Sequence, residues 1–152
     1  MSSYTEETGF IQEIKLISEN ARLPLKGSEF SACFDLSSSE ETVILPGHVK
    51  AVSTGVCLAW YDSSYYVQLL SRSGLSLKRI TVRAGVIDMD YRKEIKVILM
   101  NEGNTPYEIK VGDKIAQYTY VKIADNISTN LVEDFSRDIE SSRTGGFGST
   151  GR

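Results

Sequence analysis

Ala84-Gly85-Val86-Ile87-Asp88-Met89-Asp90-Tyr91-Arg92-Lys93-Glu94 is the stretch from which the rest of the chain is best read. Val86 and Ile87 suit a strand, Asp90 and Tyr91 suit a tight reversal, and Glu94 to Met100 restarts a strand rich in branched residues. The stretch therefore predicts a hairpin. Asp88 stands beside its turn, between apolar neighbours. From the residues alone two readings are open: a carboxylate that bonds the turn backbone, or one that takes a proton from water, its pKa raised by partial desolvation.

The same rhythm of short runs and turn residues continues on both sides. Upstream, strands are predicted at Phe10 to Ile17, Ser31 to Leu36, Thr42 to Leu45, Val49 to Ser53, Val56 to Trp60 and Tyr65 to Leu70, with Pro46-Gly47-His48 and Thr54-Gly55 as breaks. Ser71 to Leu77 reads as one short helix with Ser71 near its N-terminus. Lys78 to Arg83 leads into the hairpin. Downstream, Tyr107 to Val111 and Ile115 to Ile123 are strands, and in the latter Ile115, Gln117, Thr119, Val121 and Ile123 share one face. No helical period is sustained. Many short strands at close spacing predict an all-β sandwich, jelly roll or closed barrel.

A chain of 152 residues with ordinary apolar content supports one domain and a sizeable core. The net charge of −3 gives no basic footprint for nucleic acid, and no apolar run approaches the roughly 20 residues that span a bilayer. Residues 1–9 are polar and acidic, unlike a signal peptide, and are expected to be loose. An intracellular, soluble protein is the expectation. Cys33 and Cys57 lack metal-like spacing and read as free thiols. From about Ser136 the chain turns polar and then Gly-rich, which divides it into a β domain over 1–135 and a tail over 136–152.

Several groups of residues carry chemistry. Ser71-Arg72-Ser73-Gly74-Leu75 puts a guanidinium, a hydroxyl and a glycine at the start of the helix, as an anion site or as simple capping beside a solvated Arg. The tail offers glycine backbone, Ser149, Thr150 and Arg143 to a second phosphate, and Phe147 among glycines makes sense as a ring that stacks on a planar ligand. Asp35 suits magnesium, which prefers carboxylates, water and phosphate oxygens, or else caps a turn. His48 reads as an exposed turn residue and Gln117 as an outward-facing one. The sequence holds no zinc ligand set, Ser-His-Asp arrangement or Walker-type loop.

Taken in order, Ala32 to Leu36, Arg72 to Leu75, Gly85 to Arg92, Gly112 to Gln117 and Gly145 to Gly151 resemble the five sequence motifs of the trimeric dUTPases, across nearly the whole chain. The third, Gly-Val-Ile-Asp-Met-Asp-Tyr-Arg, and the fifth are the specific ones. The resemblance implies a jelly-roll-like β-barrel, a homotrimer, Mg2+ and hydrolysis of dUTP to dUMP and pyrophosphate. It implies Asp88 as the group that activates water and Tyr91 as the ring under the deoxyribose. Backbone around Gly85, Val86, Ile87 and Lys96 would read the uracil edge. Arg72, Ser73, Gly74 and Gln117 would hold phosphates, and Asp35 would support the metal through water. Phe147 would cover the uracil, with Arg143, Gly148 and Ser149 in the same closing tail. Each site would draw on three chains: the first, second and fourth motifs from one, the third from another, the fifth from the last.

The chain departs from the family pattern at Cys33 and Lys93, where the family usually has Gly, at Lys114 for Arg, and at Ser71 for Gly or Pro. Arg143 stands four residues before Phe147, where the family's Arg stands five before. Two alternatives share the fold. A dCTP deaminase would need a catalytic Glu where this chain has Ile98. A nucleotide-sensing or partner-binding protein would have lost turnover, against which stand Asp35, Asp88, Tyr91 and Phe147.

Overall fold

The computed structural model describes residues 9–148. Most of the N-terminal segment expected to be loose, and Ser149 with the end of the tail, lie outside the described residues. Eleven short strands and one helix follow in chain order: β1 (Glu13–Leu16), β2 (Phe34–Ser37), β3 (Thr42–Ile44), β4 (Val49–Ser53), β5 (Val56–Ala59), β6 (Tyr65–Leu70), α1 (Ser73–Leu77), β7 (Ile80–Arg83), β8 (Val86–Ile87), β9 (Lys96–Asn101), β10 (Tyr107–Ile109) and β11 (Lys114–Lys122). They pair antiparallel as β2-β11-β6-β8, β4-β9-β7, β1-β5 and β3-β10, an all-β jelly roll with one short helix, as expected.

Strand alternation builds the core. In β9, Val97, Leu99 and Asn101 are buried while Lys96 and Ile98 face out. The inward residues meet Val52, Leu58, Trp60, Leu69 and Tyr118 in one cluster, each large apolar side chain contributing about 1.5–3 kcal/mol by leaving water. Asn101 is tolerated there because its amide donates to the Ile44 and Thr105 carbonyls at 2.9 Å each and its oxygen accepts the Gly103 amide at 2.9 Å.

The predicted hairpin is the first correction. The chain does reverse after Asp88, but its two arms enter different sheets: β8 pairs with β6, and β9 with β4 and β7. The chain leaves the sheet of β7 for that of β8 at Ala84 and Gly85, with φ of 57° and 109°, and returns to it after the Asp88 reversal. Only glycine fits the second position, since a Cβ there would sit 2.9 Å from the Leu69 carbonyl oxygen.

Two smaller readings also change. α1 starts at Ser73 rather than Ser71, with Arg72 at the N-cap position and no side-chain capping bond; the Ser71 hydroxyl instead accepts the Val82 amide at 2.8 Å. In β11 a register shift between Lys114 and Ala116 lets Ile115 and Ala116 both be buried, so Ile115 does not simply share the face of Gln117 and Thr119. His48 is exposed in its turn, as expected. After β11, residues 123–148 form no strand or helix and are exposed throughout, Ile127, Leu131, Phe135 and Ile139 included. Among the described residues no helix is long and apolar enough to cross a membrane.

Candidate functional site

One polar cluster forms where β2, β11 and the start of α1 meet. Antiparallel register sets Asp35 opposite Gln117 and Gln117 opposite Leu70, so the turn into α1 lies beside both. Asp35 keeps 17% of its side chain exposed and is bracketed by cations: Arg72 Nε is 3.5 Å from its Oδ1, and Lys114 Nζ 3.5 Å from its Oδ2. Arg72 also donates to the Lys114 carbonyl at 3.4 Å. Gln117 does not face idly outward; its Nε2 donates to the Ser71 carbonyl at 2.9 Å. Ser73 and Gly74 stay exposed at the rim. The arrangement presents fixed positive charge and free donors to an anion. Beside it, burial and the Asp35 carboxylate push the Cys33 thiol up, against the pull of Lys26.

The second group is the loop between β8 and β9. The Tyr91 amide donates to the Asp88 carbonyl at 3.1 Å, closing the reversal, and the Tyr91 hydroxyl donates to the Glu94 carbonyl at 2.7 Å. The far end is pinned to the core. Glu94 Oε2 accepts the Gly55 amide at 2.8 Å, the Ile95 amide donates to the Val56 carbonyl at 2.8 Å, and Thr54 Oγ1 donates to the Ile95 carbonyl at 2.6 Å. The near end is pinned by the Leu69 amide, which donates to the Gly85 carbonyl at 2.8 Å. Arg92 bonds the Met89 carbonyl and lies over the Tyr61 ring, whose hydroxyl donates to Glu13 at 2.7 Å. Lys93 has negative φ, so its replacement of a glycine brings no left-handed strain.

Behind this loop opens a recess of about 390 Å³ lined by Ala51, Ile87, Tyr91, Ile95, Lys96 and Ile98, among others. The single chain thus brings Ile87, Tyr91 and Lys96 together around one cavity, with Gly85 buried behind them and Val86 exposed beside them. Asp88 itself is exposed, so the chain alone does not supply the partial desolvation expected of it. The residues lining this recess do not include those of the Asp35 cluster. Arg143, Phe147 and Gly148 join neither group; Phe147 is fully exposed. Ser149 lies outside the described residues.

Ile95, Ile98 and Lys114 were not among the expected site residues. The alternation of Glu94 to Asn101 carries a signal for Ile98 as an outward position, and Lys114 stands where the family's motif has a cation. Nothing local marks Ile95.

The dUTPase family model matches residues 19–151. The deoxyuridine 5'-triphosphate nucleotidohydrolase of Ehrlichia canis is 42% identical over 146 residues, covering 93% of this chain and 94% of that one. The chain belongs to the dUTPase family. Among solved dUTPases, that of Staphylococcus bacteriophage 80alpha with dUpNHpp superposes with a TM-score of 0.85 at 26% identity, covering 93% of this chain and 98% of that one. A variant of the phage phi11 dUTPase of S. aureus, whose structure reveals the coordination of a structural Mg(II) ion, superposes with a TM-score of 0.78 at 26% identity, covering 84% and 99%. The sequence expectation of a dUTPase-type jelly roll therefore holds.

Proposed function

We propose that this member of the dUTPase family hydrolyses dUTP to dUMP and pyrophosphate, keeping uracil out of DNA and supplying dUMP for thymidylate. The observation that carries the reading is the loop from Asp88 to Glu94, tied at both ends and closed across a recess with apolar walls. The uracil and sugar enter that recess. Tyr91 packs under the deoxyribose and leaves no room for a 2′-hydroxyl, while backbone from Gly85 to Ile87 and at Lys96 faces the uracil edge. Asp88 takes a proton from water as its oxygen bonds the α-phosphorus; the α–β bridging oxygen leaves with pyrophosphate. Arg72, Ser73, Gly74 and Gln117 hold phosphate oxygens and balance the charge that develops on them.

The residues fit magnesium in one mode. Among the described residues no group of three His, Cys, Asp or Glu side chains is placed to hold a metal, and both oxygens of Asp35 already face cations. That leaves no protein cage, but it suits an ion held mainly by phosphates and water, with Asp35 bonding the water. Bound there, Mg2+ would neutralise phosphate charge.

A homotrimer with shared sites accounts for the separation of the two groups and for the bare arm. Val49, Ala51 and Ile98 form an exposed apolar strip on the β4–β9 face, and Leu131, Phe135 and Phe147 find nothing to cover within their own chain. In the assembly Phe147 covers the uracil of a neighbouring site, and Arg143, Gly148 and Ser149 close over its phosphates. Incubating the protein and Mg2+ with each deoxynucleoside and ribonucleoside triphosphate, and identifying the products, tests the reading. Selective release of pyrophosphate from dUTP is expected; equal turnover of UTP, or release of ammonia from dCTP, would overturn it.

A further inference from the structure

The loop from Asp88 to Glu94 also borders a groove of about 310 Å³, where Arg92 meets Glu13, Cys57, Ala59 and Tyr61 beside the β1–β5 pair. None of the residues lining this groove lines the recess behind the loop. Glu13 and Tyr61 stand outside all five motifs.

Their side chains run in an unbroken series from β1 to the turn that bears Asp88. Register sets Glu13 opposite Ala59, two residues before Tyr61, and the Tyr61 hydroxyl reaches diagonally to donate to Glu13 Oε1 at 2.7 Å. Tyr61 follows Trp60, which is fully buried and donates from Nε1 to the Tyr65 carbonyl at 3.0 Å, so the backbone carrying the phenol is fixed. The bond to Glu13 and the charge of that carboxylate push the Tyr61 phenol up, against the pull of Arg92, which keeps it a donor at neutral pH. The Arg92 guanidinium stands 5.4 Å from the centre of the Tyr61 ring, within range of attraction by its electron-rich face. The same guanidinium donates to the carbonyl of Met89, the neighbour of Asp88.

The turn lacks any other polar hold from outside. Among the described residues, Asp88, Met89, Asp90 and Tyr91 hydrogen-bond only within the loop, whose backbone ties to the core lie at its ends. Met89 packs its side chain against the core, but an unbranched thioether chain with three rotatable bonds sets direction loosely. Arg92 itself makes no ion pair among the described residues and rests on Tyr61.

Resting on the reading of the chain as a dUTP hydrolase, we propose that Tyr61 and Glu13 are positioning residues for Asp88: Glu13 orients the phenol, the ring seats Arg92, and Arg92 holds the Met89 carbonyl so that the neighbouring carboxylate keeps its working direction. Tyr91 is held separately, through the Glu94 carbonyl, so the brace governs the base and not the reading of the sugar.

Kinetics with dUTP and UTP, calorimetric binding of dUpNHpp, and hydrogen exchange of the nucleotide-free protein over residues 88–95 test this. Tyr61→Leu should lower kcat for dUTP about two- to fivefold, the worth of one exposed cation–ring contact. Its dUpNHpp affinity should stay within about twofold of wild type, and its UTP to dUTP ratio of kcat/KM should not change. Tyr61→Phe and Glu13→Ala remove the same hydrogen bond, keep the ring, and should match each other with a smaller loss. In an Arg92→Gln background Tyr61→Leu should cost nothing further, because it acts through Arg92. Exchange over 88–95 should quicken in Tyr61→Leu and in Arg92→Gln. Wild-type kcat or unchanged exchange in Tyr61→Leu, additive losses in the double variant, or a phenylalanine variant as slow as the leucine one would overturn the assignment. Tyr61 is exposed, so unfolding midpoints should hold, and a midpoint that falls with kcat would make the role merely structural. Exchange is read without nucleotide, so a wild type that releases no pyrophosphate from dUTP defeats the hydrolase reading alone, whereas unquickened exchange defeats the brace whatever the activity.

Discussion

The Tyr91 hydroxyl donates to the Glu94 carbonyl at 2.7 Å, and the Tyr91 amide donates to the Asp88 carbonyl at 3.1 Å, so one residue closes the loop at its turn and at its far arm. Glu94 in turn holds the Gly55 amide. The Tyr91 ring is thereby fixed relative to the core.

Tyr91→Phe keeps the ring and loses the bond. It should lower kcat/KM for dUTP by roughly two- to tenfold, the worth of one net hydrogen bond, with the preference over UTP retained. Tyr91→Ala removes the ring and should raise the UTP to dUTP ratio of kcat/KM. Steady-state kinetics on both nucleotides decide this; an unchanged ratio in the alanine variant takes the sugar-reading role away from Tyr91.

Asp88→Asn keeps the shape of the side chain and removes its basicity. We expect kcat to fall on the order of 10²–10⁴, with the affinity for dUpNHpp little changed. Because Asp88 is exposed in the single chain, the proposed role requires that bound nucleotide or a neighbouring chain shield it from water. Near-normal turnover in this variant would place the base elsewhere.

Gly85→Ala would force a Cβ to 2.9 Å from the Leu69 carbonyl oxygen at a φ of 109°. The predicted loss is about 2–4 kcal/mol, read as a lower urea midpoint. Gly74→Ala is the contrast: nothing lies within 4 Å of the added Cβ, so stability should hold. Equal stability of the two variants would remove the close packing at the sheet switch as an explanation for Gly85.

Burial pushes the phenols of Tyr118 and Tyr120 well above their ordinary value of 10.0. A raised folded-state value means the folded chain keeps protons that the unfolded chain releases, so this stability is whole below pH 10 and falls as pH rises above it. Urea midpoints should hold near pH 8 and decline as pH rises past 10, and Tyr120→Phe should decline less steeply, while Tyr118 keeps its 2.8 Å bond to Gln12. Parallel declines would contradict the assignment.

Much of this fold was legible because alternation is local. β4 and β6 follow directly from runs of inward and outward residues, and the motif order located the loop of Asp88. What failed was pairing. Val86-Ile87 and the strand after Glu94 look like partners from eleven residues, yet the partner of β8 is β6, and no local pattern states that. The same limit hid Arg22 and Lys26, which line one recess with Asp35 because the Leu25 carbonyl and the Lys26 bridge fold an irregular segment against β2. The tail was legible as a segment without a core of its own, and its apolar residues are exposed in the single chain, as the proposed sharing of sites between chains requires.

The bare arm gives the sharpest test of the shared site. Asp88→Asn and a chain ending at Glu140 should each be inactive as homotrimers, the first lacking the base and the second lacking Phe147. In a mixed trimer, a site works when its loop comes from a truncated chain and its arm from an Asp88→Asn chain. Under cyclic symmetry each mixed trimer holds one such site of its three, so doubly tagged material should return to roughly a third of wild-type activity, against about a quarter for the unfractionated random mixture, if sites act independently. A site built within one chain could never recover, since neither chain carries both parts. Truncation itself should leave the core intact, because residues 123–148 are exposed throughout. Co-expression with two tags, purification through both and measurement of dUTP turnover decide the matter. Inactive mixed trimers of verified composition would refute sharing between chains, and failure to obtain any doubly tagged material would refute the trimer.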